Sequence, residues 1–217
     1  MVNILCIGGS HEPWHQFEGY KTSLVRILDD LPIEVHYTED LDSLITQHIK
    51  DFDHIICCVS KKELNQDQEE GLLTSISGFN PKVFGKPKHF LGIHCATTAF
   101  QNSINYIHMV GARFLAHPPM GEPFPVQILE PNHPICRNLG DFELVDELYL
   151  MEYYGYRKDL FGSRFGEFDI PLGWIKPYGM GKVGYCALGH GEQQLKDPNL
   201  SKLTHQFVQW LIYEPTE

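Results

Sequence analysis

Two stretches of this chain put a histidine at the end of an apolar run, where a side chain can stand over the edge of a sheet. In Gly92-Ile93-His94-Cys95-Ala96 the run over 89–93 leads into a helical pattern. A sharp strand-to-helix corner of this kind lifts one side chain above the sheet edge, two residues after its first glycine. Counted from Gly92 that residue is His94, whereas Cys95 projects elsewhere. In Leu188-Gly189-His190-Gly191-Glu192 the histidine stands between glycines, which let backbone and ligand approach closely. A carboxylate two residues on is of the type that fixes an imidazole's tautomer and raises its basicity. Imidazoles titrate near neutral pH, so this pair suits proton transfer beside a carbonyl and equally suits zinc or another divalent ion. His94, His190 and Glu192 are the expected catalytic group, with Glu192 orienting His190.

Other polar residues gather near the same edge. Gly8-Gly9-Ser10 closes the first apolar run but lacks the spacing of a dinucleotide loop and the lysine of a phosphate loop. It reads as a tight turn that exposes His11 and Glu12, with His15 close behind. Asp146-Glu147-Leu148-Tyr149 lies among Leu144, Val145 and Leu150, and a charged group in such surroundings needs a partner or a ligand. If 144–150 is a strand, the two acids point to opposite faces and one of them meets a pocket. His11, Glu12, His15, Cys95, Asp146, Glu147 and Tyr149 are expected to bind substrate, a solvated loop being the alternative for the first three. Cys95 as a nucleophile would need an activating base, and none adjoins it in sequence. Whether a metal is bound is left open.

The elements that must position these residues follow from periodicity. Strands are expected over 2–7, 33–37, 54–59 and 89–93, separated by helices over 18–30, 41–49 and 65–77. A further helix over 97–110 ends at Gly111, a plausible C-cap. Four strand–helix units with continuously apolar strands imply a largely parallel, doubly wound sheet covered on both faces. The second half changes character, with strands over 125–129 and 144–150, a hairpin of 174–178 and 182–188 about Gly179-Met180-Gly181, and a last amphipathic helix over 200–213. No repeat or long linker divides the chain, so 1–217 is expected to be one domain.

Composition narrows the partners. The 217 residues carry a net charge of −11 and are 42% hydrophobic, enough for a core. An acidic surface argues against nucleic acid or an anionic membrane as a partner. The cluster Lys82, Lys86 and Lys88 reads as a solvated loop. No apolar run is long enough to span a bilayer. The run over 1–7 has neither a basic lead nor a small-residue cleavage site, so it reads as a buried strand and the chain is expected in the cytoplasm. Six cysteines without C-x-x-C spacing read as free, buried thiols of a reducing compartment.

Taken together the motifs resemble the ThuA-like family, named for trehalose utilisation, within the class I glutamine amidotransferase-like superfamily. The resemblance rests on FLGIHCATTAF (90–100), VGARFLAHP (110–118), HPI followed by DELY (133–149) and PLGWIKPYGMGKVGYCALGHGE (171–192). It implies a flavodoxin-like three-layer α/β/α sandwich with a mostly parallel central sheet. The superfamily's amidotransferases use a Cys-His-Glu triad with the thiol on the elbow. Here His190 and Glu192 match the late pair, but His94 stands at the thiol position, which argues against glutaminase chemistry. The chain also departs at Lys86-Pro87-Lys88-His89, where members often carry a glycine-rich approach to the fourth strand. The resulting expectation is a carbohydrate-active enzyme, a hydrolase, lyase or isomerase, acting on a trehalose-related or oxidised sugar through a histidine-centred site, with or without a divalent ion such as zinc. The alternatives are a non-catalytic sugar-binding or regulatory subunit and a cysteine-dependent hydrolase using Cys95. A homo-oligomer is compatible with all three.

Overall fold

The computed structural model describes residues 1–213. Its first half alternates as the apolar runs demand: β1 (Val2–Ser10), α1 (Phe17–Ile27), β2 (Ile33–Thr38), a 3-10 turn (Leu41–Leu44) with the single-turn α2 (Thr46–Ile49), β3 (His54–Ser60), α3 (Gln66–Ser77), α4 (Pro81–Phe84) and β4 (His89–Ile93). Then come α5 (Ile104–Val110), β5 (Ala112–Ala116), β6 (Phe124–Ile128), β7 (Phe142–Leu144), β8 (Leu150–Tyr153), β9 (Lys158–Phe165), β10 (Phe168–Tyr178), β11 (Gly181–Cys186) and α6 (Pro198–Ile212). Local chemistry sets several boundaries. Asn65 and Gln68 form a reciprocal capping box at the start of α3, and Gly78 ends it in the left-handed region. Asp197 accepts from the amides of Asn199 and Leu200 to open α6, with Pro198 at its first position.

Nine strands form one sheet in the order β2-β1-β3-β4-β11-β10-β9-β6-β7. The five from β2 to β11 are parallel, and the remaining four add antiparallel to them. On the helical layers, α1 packs with α6, while α3 packs with α2 and α5. Strand β4 is buried along its whole length, as a strand covered on both faces must be. The architecture is the flavodoxin-like α/β/α sandwich. A separate ribbon of β5 and β8 stands beside the large sheet.

Three expected elements differ, the first being the helix over 41–49, which is a 3-10 turn followed by one α-turn. The helix over 97–110 is interrupted: a 3-10 turn covers His94–Thr97 and the helix proper starts only after Ser103, whose hydroxyl accepts from the Tyr106 amide. The Thr98 hydroxyl donates to the Cys95 carbonyl at 2.8 Å, a local bond that competes with helix propagation. The strand over 144–150 is two short strands with an irregular link, because the Asp146 carboxylate holds backbone amides there instead of leaving them to a ladder. β9 gave no clear signal in a stretch of mixed charge and glycine.

Candidate metal centre

The carboxyl ends of β1, β4 and β11 come together at one edge of the sheet, and the loop after each delivers one histidine: His15, His94 and His190. Each arrives through unusual backbone. His94 has φ 42° and His15 φ 59°, left-handed values rare for residues other than glycine, and Gly189 before His190 has φ 104°. Tyr185 braces the His94 corner by donating from its hydroxyl to the His94 carbonyl at 2.7 Å. Gly92 leaves room for it, since a Cβ there would meet the Ala96 Cβ at 3.0 Å and the Tyr185 ring at 3.1 Å.

The fourth member is Glu147, from the link between β7 and β8. Its Oε2 lies 3.2 Å from His94 Nε2, 3.1 Å from His190 Nδ1 and 3.9 Å from His15 Nε2. One ligand atom from each of the four residues can be chosen so that all lie within 4.8 Å of one another. Asp146 holds this arrangement. Its buried carboxylate accepts from the amides of Gly189 (2.6 Å), Glu147 (2.8 Å) and His190 (3.2 Å), tying the Glu147 link to the His190 loop. The Tyr20 hydroxyl donates to the His190 carbonyl at 3.0 Å.

The hydrogen-bond pattern shows what the cluster lacks. His94 is fully buried, and its Nδ1 lies 2.7 Å from the Ala187 carbonyl. A carbonyl can only accept, so Nδ1 carries a proton, and Nε2 faces a Glu147 carboxylate oxygen. Two acceptors at 3.2 Å require a proton or a cation between them. Both ring nitrogens of His15, and Nδ1 of His190, are likewise buried with no well-aligned hydrogen-bond partner. Unpaired buried polar atoms are uncommon and point to a bound group. Burial alone would raise the Glu147 carboxyl, but the His15, His190 and His94 rings outweigh it and hold it well below the usual carboxylate range. Glu147 in turn raises His190, whereas burial lowers His15. Three imidazoles and one carboxylate are a donor set suited to zinc or a similar divalent ion, whose tetrahedral ligands stand about 3.3–3.5 Å apart. The residues present therefore fit such an ion.

A sequence model of the ThuA family, described as trehalose utilisation, matches residues 5–211. The chain belongs to the ThuA family. Its fold is similar to that of a protein described as ThuA-like from Bacteroides uniformis, with TM-score 0.82 and 16% identity over 98% of this chain and 92% of that one. A protein so described from Parabacteroides merdae gives TM-score 0.79 and 14% identity, covering 97% of this chain and 89% of the other. The fold also matches part of a β-galactosidase from Rahnella sp. R3, at TM-score 0.66 and 12% identity, over 96% of this chain and 31% of that one. A search of curated proteins finds no match.

Within this ThuA-family chain the structure sorts the residues singled out from sequence. His94, His190, His15 and Glu147 meet, with Asp146 behind them and the Tyr149 ring 4.2 Å from that of His94. Glu192 does not orient His190: it is exposed and pairs with Lys196 at 2.8 Å, and the carboxylate beside His190 is that of Glu147. Asp146 and Glu147 do not alternate across a strand, because the link carrying them is irregular and both serve the site. Cys95 is fully buried, with Tyr20 as its polar neighbour, and burial pushes its thiol well above the ordinary range. Such burial disfavours the thiolate that a cysteine nucleophile needs. Glu12 pairs with Lys61 at 2.9 Å and with the Trp14 indole, and His11 is exposed beside Lys61 and Lys62; neither belongs to the cluster. His117 was missed. Its Nδ1 donates to the Pro118 carbonyl at 2.8 Å, and its Nε2 lies 3.4 Å from Glu147 Oε1, on the open side.

Proposed function

We propose that this chain is an enzyme of sugar catabolism that acts on a trehalose-related or oxidised sugar at a metal-supported histidine site. The observation that carries the reading is the convergence of His15, His94, His190 and Glu147, which can place one ligand atom each within 4.8 Å of one another. Family membership supplies the sugar context. His15, His94, His190 and Glu147 would hold the ion, and a divalent ion so bound supplies Lewis-acid polarisation of a carbonyl or hydroxyl oxygen. The chain's own residues do the rest. Asp146 fixes the two loops that carry Glu147 and His190, so the cluster is set before substrate arrives. Tyr149, packed 4.4 Å from Phe114 at ring centres, closes the inner wall and excludes water. His117 is the most exposed imidazole of the group; its tautomer is set by the Pro118 carbonyl, and it is placed to pass a proton at Nε2. Trp14, 57% exposed next to His15 and fixed through its indole N–H by Glu12, offers a flat face for a sugar ring.

Elemental analysis of protein purified without chelator tests the reading first, with about one equivalent of a divalent transition ion expected. His94→Ala and His190→Ala should each lose that ion and all turnover of the sugar substrate identified by screening a panel with mass-spectrometric product detection. Unchanged turnover in both variants would remove the proposal. Saturable sugar binding without product across the panel would instead make the chain a sugar-binding subunit.

A further inference from the structure

At the opposite edge of the parallel strands, where β1, β3, β4 and β11 begin, lies a cavity of about 890 Å³ that shares no residue with the histidine–carboxylate centre. Its size is that of a small-molecule site. Its charge runs against that of the molecule. The chain as a whole carries −11, yet among the described residues these walls hold Lys50, Lys86, Lys88 and Lys182 against one carboxylate, Asp53. That carboxylate is already engaged, accepting from the Asn3 amide at 2.7 Å.

The lysines are short of counter-ions. Lys88 is 2% exposed, and its ammonium donates to the carbonyls of Phe52 and Lys50. Those neutral acceptors satisfy its hydrogen bonds but not its charge, and among the described residues no carboxylate reaches ion-pair distance. The Asp53 and Asp51 carboxylates act on it only from beyond ion-pair distance, and a buried ammonium is stabilised by a close opposite charge. Lys182 lies 5.9 Å from the Trp210 ring centre. Two imidazoles line the same cavity. The rings of His54 and His89 stack at 5.0 Å and 12°. Nδ1 of His54 accepts the His89 amide and Nδ1 of His89 accepts the Lys182 amide, each at 3.2 Å. Phe52, Phe84 and Leu211 give the same cavity an apolar wall.

We propose that this cavity binds a phosphate-bearing small molecule, its phosphate met by the four lysines and its organic body by the apolar wall. A cluster of ammonium groups facing one anion suits phosphate, which lysine binds as a point charge. The site is separate from the proposed catalytic centre, and its existence does not depend on a metal being bound there.

Isothermal titration of the full chain with glucose 1-phosphate and, separately, with inorganic phosphate tests this. Saturable binding is expected, weaker at higher salt, and about tenfold or more weaker in the Lys50→Glu/Lys86→Glu variant. Both substituted side chains are exposed, so the fold should be retained, as circular dichroism would verify. Tighter binding of glucose 1-phosphate than of phosphate identifies a phosphorylated metabolite as the occupant, and equal binding identifies phosphate itself. The His94→Ala variant should bind both as wild type does, which separates this site from the catalytic reading. Absence of saturable binding of either compound, or equal affinity in the charge-reversed double variant, would overturn it; the lysines would then serve only the carbonyl ends of neighbouring helices.

Discussion

The two edges of the parallel sheet hold comparable numbers of titratable groups but solve the problem of burying them differently. At the carboxyl edge imidazoles converge on a carboxylate: three rings surround Glu147, and the backbone enters left-handed conformations at His15, His94 and Gly189 to bring them there. At the amino edge like charges gather, on regular strand starts, around a cavity. Strained backbone persists only where the surrounding structure over-determines it, and such strain clusters at sites of chemistry. The comparison thus separates an edge built to hold groups in fixed geometry from one that presents charge to whatever enters.

The sharpest way to break that contrast is through Asp146. This residue is not one of the four that would hold an ion, yet it joins the two loops that carry Glu147 and His190. Asp146→Asn retains one acceptor oxygen, and its metal affinity should fall about 10–100-fold, as for other residues that orient ligands from behind. Asp146→Ala leaves three amides without an acceptor and should cost roughly 1–3 kcal/mol for each one that water cannot reach. Metal titration with a competing chelator measures the first effect and urea unfolding the second. If Asp146→Asn binds metal like wild type, the carboxyl edge is not pre-set, and the contrast between the edges fails.

The sequence carried the fold better than the site. The four strand–helix units were legible because strands covered on both faces must be continuously apolar, and β3 and β4 are. His94 and His190 were legible because glycines beside a strand end mark close backbone approach. Glu147 was legible only as one of two acids, since a period-two argument applies to strands and the 145–149 link is not one. His117 had no local signal. It follows β5 in a stretch bounded by Pro118 and reaches Glu147 because β5 pairs with β8, setting Phe114 opposite Met151 and Ala116 opposite Leu150. A pairing between separate strands that frames the site is a tertiary fact, and no spacing along the chain encodes it. The cluster of Lys86 and Lys88 was read as a solvated loop for the same reason: its companions Lys50 and Lys182 come from distant segments.

A smaller effect, from the amino edge, concerns acid. Burial, and then the neighbouring His89, pushes His54 down to about 4, against about 6.5 in an unfolded chain. As pH falls below 6.5 the unfolded chain takes up a proton at this position that the folded chain refuses, so stability declines until the folded ring protonates near pH 4. Above pH 6.5 the difference vanishes. After allowance for partial exposure, a loss of about 1–2 kcal/mol between pH 7 and pH 5 is expected. Urea midpoints at those two pH values measure it, and His54→Gln should flatten the dependence. Equal slopes for the variant and wild type would show that the ring is hydrated and that the amino edge tolerates charge more easily than its packing implies.

The smallest expected effect decides which carboxylate serves His190. Glu192 is near in sequence, Glu147 near in space. Glu192 pairs with Lys196 on an exposed turn of chain, and an exposed pair of that type is worth well under about 1 kcal/mol. Glu192→Gln should therefore change turnover and metal content by no more than about twofold, with unfolding free energy within about 0.5 kcal/mol of wild type. Glu147→Gln removes the negative charge that raises His190 and that sits among three imidazoles, so it should abolish metal retention while the chain still folds. The two substitutions are chemically identical and lie on either side of one histidine, so fold-wide disturbance cancels in the comparison. If Glu192→Gln is the damaging one, the geometry around Glu147 is not the working geometry, and the carboxyl edge acts through the local pair that the sequence pattern suggested.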